Sequence, residues 1–352
     1  MESAIPRDLQ EKRTCPHHKA DKEYLPPFPA WTSRFENNAE QFVVVYFAIQ
    51  SLQSIHFDEH RKVTQYFQKN HLPEYWVPST YRDHLGFYHL VVTIYWSSTQ
   101  VFEAWFRSSG FEAWWKDKER EAESCGYFLE VYYPKISEFE MIFSDPKTPE
   151  GLAHLAKGMS GEIQEHGYYG SMRDRLPIAQ THLLQAESIT KESRIEVSKK
   201  RIQIKGKENL SLIRSGQDWS HTVGNERNIY LKHVEPILRH GMNFLALDGK
   251  KEGCLSCRYM RVLDKDTGDE IDKTFGLAHF KDLKHLENWA KSHETHTAIF
   301  AEFMSYVREM QFNISLKLFH EVMVLPAKSQ YYEYIACHSK TGMLQDERSF
   351  IQ

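Results

Sequence analysis

Two histidines in the last quarter of the chain carry the strongest chemical signal in the sequence. His296 lies in Ser292-His293-Glu294-Thr295-His296, and His320 in Leu318-Phe319-His320-Glu321-Val322. A neutral imidazole ligates metals and exchanges protons near neutral pH. Two of them turned toward one interior can place a ligand on one side of a flat group and an acid on the other.

Periodicity says which elements must position them. Leu286, Trp289, His293, His296, Phe300, Phe303, Val307 and Met310 follow steps of three and four, one stripe of a helix. Ile314, Leu316, Leu318, His320, Val322 and Val324 share a parity, hence one face of a strand. The competing reading is that both are core histidines, and periodicity does not choose between His293 and His296 as the ligand.

The chain has 352 residues, 41% of them hydrophobic and 13% aromatic, enough for a large core or a pocket for a flat apolar ligand. A net charge of −4 gives no electrostatic case for nucleic acid. The first residues lack the apolar segment of a signal peptide, and the longest apolar run, Phe42 to Ile49, is too short for a bilayer. Five scattered cysteines argue for a reducing compartment, and the lone Cys254-Leu255-Ser256-Cys257 has no second pair to complete a zinc site. A soluble cytoplasmic protein is expected, without nucleic acid or membrane as partner.

Residues 1–40, rich in proline around Pro26-Pro27-Phe28-Pro29, read as an arm over the surface. Strands are expected at 42–50, 89–96, 127–133 and 138–143, with helices at 57–69 and 99–116. The second part repeats this with strands at 209–214, 255–263, 274–280 and 314–325 and helices at 226–247 and 283–310. Val101-Phe102-Glu103-Ala104-Trp105 matches His285-Leu286-Glu287-Asn288-Trp289, and that register sets Ser108–Glu112 against Ser292–His296. Only the second copy gains histidines. The order β-α-β-β-α-β in each half suggests a ferredoxin-like unit, two of which give an α+β fold. The halves are 41–190 and 191–352, joined near the lysine- and arginine-rich stretch 190–209, read as a linker or hairpin.

Other polar segments stand out. Gly161–Arg175 is punctuated by glycine but is not a phosphate loop. Ser215 follows Ile213 in parity at a strand end. Glu138-Phe139-Glu140 can turn a carboxylate inward, and Tyr334–Leu344 is a polar turn. No GxSxG surrounds Ser215, so a hydrolase reading is weak.

Taken together, Met1-Glu2-Ser3-Ala4-Ile5, Pro26–Pro29, Gly161–Pro177, Leu212–Trp219, Ser292–His296, His320-Glu321-Val322 and Tyr334–Leu344 resemble the aldoxime dehydratase family, over nearly the whole chain. The resemblance implies duplicated ferredoxin-like units in a dimeric α+β-barrel-type fold, a haem b pocket in one compact unit, and a homodimer. It makes His296 the proximal iron ligand and His320 the distal acid. Ser215 and Arg175 become distal polar groups, and Glu140 supports His320 and raises its pKa. The implied reaction is dehydration of an aldoxime to a nitrile on ferrous haem. The stretch between the histidines is longer near Gln311–Asn313 than in some bacterial members. Competing readings are a haem peroxidase or dye-decolourising oxidase, a non-catalytic haem-binding protein, and zinc at His293/His296, for which a third ligand is lacking.

Overall fold

The computed structural model describes residues 1–18, 23–68, 71–187 and 194–347. Runs rich in β-branched and aromatic residues become strands because such side chains fill a pleated, buried surface. The first half supplies β1 (Val43–Ser51), β2 (Tyr75–Arg82), β3 (Tyr88–Trp96), β4 (Gly126–Tyr132) and β5 (Phe139–Phe143). The second supplies β6 (Arg194–Glu196), β7 (Arg201–Ile204), β8 (Leu210–Asp218), β9 (Cys254–Leu263), β10 (Glu270–Phe280), β11 (Lys317–Leu325) and β12 (Gln330–Ile335). They form one antiparallel 12-stranded sheet in the order β5-β11-β8-β10-β9-β2-β3-β1-β4-β12-β7-β6.

The two halves repeat an internal order. β4-β1-β3-β2 in the first corresponds to β11-β8-β10-β9 in the second. Each half then lends a strand to the other: β5 pairs with β11, and β12 pairs with β4.

Alternation along the strands separates two faces. Val44, Tyr46 and Ala48 of β1 join Phe275 of β10 and Phe319 and Met323 of β11 in one core shared by the halves. Val43, Val45 and Phe47 point the other way, under α1 (Thr99–Ser108) and α2 (Phe111–Lys116). A short α3 (Ser171–Arg175) follows the first half. On the outer face of the second half lie α4 (Gly224–Ile229), α5 (Glu235–Leu247), α6 (Leu283–Ser292) and α7 (Glu294–Glu309), over Ile213, Ala278, Val322 and Val324. The layers therefore run helix, sheet, sheet, helix. No helix among the described residues is long and apolar enough to cross a membrane.

Several expectations change. The helix expected over 99–116 breaks after Ser108, with Gly110 at φ +95°. The helix expected over 283–310 breaks at His293, which is extended. The stripe is therefore interrupted: Leu286, Trp289 and Val307 are buried, but Phe300 is 59% exposed. Beyond α7, Gln311 and Phe312 take φ +52° and +63°, so the chain turns tightly there before β11. Two strands, β2 and β12, were not expected. β2 contains Pro78, which argues against a central strand. It is accommodated because β9 pairs with β2 only at Ser79 and Thr80. The boundary between residues 190 and 191, Lys191 of the basic stretch, and Lys69 at the end of the expected helix 57–69 fall outside the described residues.

The join between β8 and β11 depends on one glycine. Gly216 faces Phe319 across the ladder, and a Cβ on it would meet the phenyl ring at 2.0 Å. Gly216→Ala is expected to lower stability by about 1–3 kcal/mol through overpacking. Urea unfolding measures this, and an unchanged midpoint would show that the ring moves aside freely.

Candidate functional site

The pairing of β8 with β11 sets Ser215 directly opposite His320, and Ile142 of β5 stands on the other side of His320. Glu140 lies opposite Val322, two residues along. Residues two apart share a face, so Ser215, His320 and Glu140 all stand on the outer face of the second half's sheet. Arg175, at the end of α3, reaches this face and grips Glu140 with both ends of its fork, Nε to Oε2 at 2.7 Å and Nη2 to Oε1 at 2.9 Å. Nη1 donates to the Glu165 carbonyl at 2.8 Å and to Ser171 Oγ at 3.2 Å. A guanidinium has five N–H groups. Four are used within the chain, and one on Nη2 is left for the space beside His320.

α7 brings His296 to the same space. Its ring meets Trp289 edge to face at 4.8 Å, and the Ala290 carbonyl lies where it favours the protonated ring. His293 is the residue that breaks the helix: its ring accepts the Thr295 N–H as an N-terminal cap and stacks on Phe244 at 4.2 Å. That role engages Nδ1 of His293 within the chain.

His320 is close enough to His296 for their charges to oppose each other. Neither the His320 ring nor the Ser215 hydroxyl makes a hydrogen bond among the described residues, and both side chains are half-buried rather than sealed. His296 is likewise half-buried, with Nδ1 buried and unpaired. Buried polar groups are normally satisfied. His296 Nδ1 is an exception, and the half-exposed Ser215 hydroxyl and His320 ring stand on the sheet face that α7 covers.

One expected role changes. Glu140 does not support His320, because both its oxygens are held by Arg175. His320 is not raised but pushed down to about 4, by burial first and then by the charges of Arg175 and His296. Burial also raises Glu140, against the pull of Arg175.

The sequence did not single out His166. It stands 1% exposed with both ring nitrogens unpaired, beside Phe28 and within reach of the Arg175 charge. The Gly161–Arg175 segment was the only signal for it. The Tyr334–Leu344 turn lies elsewhere: His338 and His89 both bond Asp83 Oδ2, at 2.7 and 2.8 Å. The Lys340 N–H donates to His338 Nδ1, leaving the proton on Nε2 to bond the carboxylate. This trio is therefore a hydrogen-bonded network. It adjoins a cavity of about 540 Å³ lined by Tyr81, His89, Met242 and Arg258 among others, which contains none of the candidate site residues. Cys254 and Cys257 are buried, with thiols pushed up by burial, as a structural role requires.

The haem-containing dehydratase family model matches residues 46–343. The chain belongs to the haem-containing dehydratase family. It is 37% identical to the aliphatic aldoxime dehydratase of Pseudomonas chlororaphis, with 98% of each chain covered. It is 30% identical to the phenylacetaldoxime dehydratase of a Bacillus species, over 92% of this chain and 93% of the relative. A crystal structure of an aldoxime dehydratase in complex with butyraldoxime superposes with a TM-score of 0.92 at 36% identity, covering 98% and 96% of the two chains. This family member is a haem-dependent lyase.

Its residues fit haem. His296 offers an imidazole unencumbered by any charged partner, on a helix that faces the sheet. α7 packs on α5 and, through Phe303, Tyr306 and Val307, on the start of β11. Its first turns, where Phe300 is exposed and Ile299 only partly buried, leave apolar surface uncovered. A flat, largely apolar ring suits such a surface.

Several buried histidines outside the ligand position set an acid limit on the fold. His154, His166 and His279 are each pushed down to about 4, chiefly by burial. They are neutral when folded at pH values where the unfolded chain, with an ordinary histidine pKa near 6.5, is protonated. Between those values the unfolded state binds more protons, so stability falls as pH drops through the window. The melting temperature is expected to fall steadily from pH 7 to pH 4.5. A flat profile would mean that these rings are charged in the fold.

Proposed function

We propose that the chain dehydrates aldoximes to nitriles and water, with haem b held by His296 and the chemistry done between that haem and the β8–β11 ladder. The observation that supports this is the cross-strand pair Ser215–His320, with His320 near enough to His296 for their charges to interact and no hydrogen bond on either side chain of the pair among the described residues. When bound, ferrous haem supplies an open iron position for the oxime nitrogen and electron density that weakens the N–O bond.

An aldoxime, R-CH=N-OH, must lose hydroxide from nitrogen and a proton from carbon. Hydroxide leaves poorly unless it is protonated as the bond breaks. His320 would give a proton from its ring nitrogen to that oxygen, then take the proton from carbon and return to its starting state. Its depressed pKa makes the charged ring a stronger acid than ordinary histidine, though a scarcer one at neutral pH. Ser215 would bond the oxime hydroxyl and fix its direction. The free N–H of Arg175 would hold the same oxygen or a haem carboxylate, and Glu140 keeps that guanidinium in place.

The same reading takes residues 41–190 and 191–352 as copies of one ferredoxin-like unit in a dimeric α+β-barrel-type fold, which the matching strand orders support. It places a homodimer in the cytoplasm, and five unpaired cysteines suit a reducing compartment.

The test is anaerobic reduction with dithionite, addition of butyraldoxime or phenylacetaldoxime, and assay of nitrile. Product is expected only from the reduced protein, and peroxide-dependent oxidation without nitrile would replace this reading with a peroxidase. His296→Ala is expected to lose haem, seen in the Soret band; normal turnover with haem retained would sink the ligand assignment. His320→Ala is expected to keep haem while kcat falls by about 10²–10⁴, the usual worth of general acid–base help. Near-normal kcat would remove His320 from the mechanism.

A further inference from the structure

We propose that residues 2–18 form a strap that positions Arg175, with Glu165 and Arg34 as positioning residues; this rests on Arg175 being a distal polar group of the proposed site. α3, which carries Arg175, has only five residues, follows Gly170 at φ +81°, and has no side-chain cap. A helix that short has no stability of its own. Its attachments must set where the guanidinium points.

The strap supplies attachments on both sides of Arg175. Before it, Glu2 runs parallel to Ile163: Glu2 N donates to the Glu162 carbonyl at 2.8 Å, and Gln164 N donates to the Glu2 carbonyl at 3.1 Å. Ala4 N donates to Glu165 Oε2 at 2.8 Å. Arg34 closes the joint from outside, with Nη1 on the Ala4 carbonyl and Nη2 on the Ser3 carbonyl, each at 2.7 Å. Ala4 and Ile5 are 6% and 4% exposed, so the joint is packed as well as bonded. Glu165 thus has its side chain on the strap and its carbonyl on Arg175 Nη1.

The second attachment is at the preceding residue, Asp174, which is 1% exposed. Its carboxylate accepts the His18 N–H at 3.0 and 3.1 Å and meets the His17 ring at 3.0 Å; its carbonyl accepts from Arg13 at 3.1 Å. The third is Gln180, whose side chain bonds Glu11 N and the Leu9 carbonyl, while its own carbonyl accepts Thr14 and Cys15 N–H. The strap therefore grips residues 162–165, 174 and 180. Across the sheet, Arg175 is gripped only by Glu140.

Two variants of the holoenzyme test this: removal of residues 1–5, and Arg34→Gln. Amide hydrogen exchange over residues 161–180 is expected to quicken in both, without change over β8 and β11. The C–O stretch of the reduced CO adduct, which senses polar groups beside the bound CO, is expected to shift in the direction that Arg175→Gln shifts it. Haem content and the Soret band should stay as in wild type. Turnover number should fall by on the order of 10–100-fold, the cost of a small misplacement of a reacting group, with KM little changed. Adding Arg34→Gln to Arg175→Gln should cost little more, because both remove one interaction. Wild-type exchange and C–O stretch in Arg34→Gln would overturn the proposal. So would faster exchange with an unchanged stretch, which would make the strap structural only. If the shortened chain does not fold, Arg34→Gln carries the test alone. If even the wild type makes no nitrile, the proposed reaction fails while exchange and stretch still decide the strap.

Discussion

Everything at the proposed site depends on the antiparallel register between β8 and β11. That register places Ser215 opposite His320 and, through β5, brings Glu140 onto the same face two positions away. Side chains alternate with period two, so a one-residue slip of β11 along β8 would turn His320 to the opposite face from Ser215. The slip would bring Glu321 to the helix face and bury His320 in the shared core. Such a change is not a graded loss, and the fold must forbid it outright.

The prohibition is built into the other face of the same strands. Arg214 lies opposite Glu321, one residue from each functional side chain, and both are buried. Arg214 donates to Glu150 at 3.2 Å and lies between the Phe275 and Phe319 rings, 4.4 and 4.7 Å from their centres. Glu150 also binds Lys273 at 2.5 Å, and Lys273 binds Asp218 at the end of β8. The Leu152 N–H donates to Glu321 at 2.9 Å. Buried charges are costly unless paired; this register gives Arg214 its bond to Glu150 and Glu321 its bond from Leu152, while Arg214 Nε and Nη1 and Glu321 Oε2 stay without a hydrogen bond among the described residues. Gly216 adds a steric condition, since only its bare backbone admits Phe319. On β8 the even positions fix the alignment and Ser215 uses it; on β11 the odd positions fix it and His320 uses it.

How much of this could be read from the sequence follows from how local each signal is. The parity of His320 with Val322 and Val324, and of Ser215 with Ile213, is a property of neighbouring residues, and both elements formed as strands with those faces. The paired order of the halves was partly visible, but β2 was hidden by Pro78 and β12 by the polar residues after it. The break at His293 was hidden because its stripe reads continuously through the cap. The partner of Glu140 could not be read at all: Arg175 is 35 residues away, and only folding shows that it, rather than His320, takes the carboxylate. Family resemblance named residues that the ladder and α3 bring to one face, but paired Glu140 with His320 rather than with Arg175.

The two halves explain why there is one site and not two. In the aligned register Ser109 and His293 fall at corresponding helix breaks, yet the surfaces beyond them differ. In the first half Phe111 and Trp115 come down on the sheet against Phe47, while Trp105 packs on Trp96 at 4.8 Å; these helix residues are about 1% exposed. The space between helix and sheet is filled by the chain's own rings. In the second half the corresponding helix offers His296 and Ile299 half-covered and Phe300 exposed. Apolar surface is worth about 25 cal/mol for each Å² removed from water. The first half gains that during folding. The second half leaves part of it ungained, and that remainder is available to whatever flat group enters between α7 and the β8–β11 ladder. On the proposed reading, the first half puts its aromatic surface into its own core and the second leaves it for the haem.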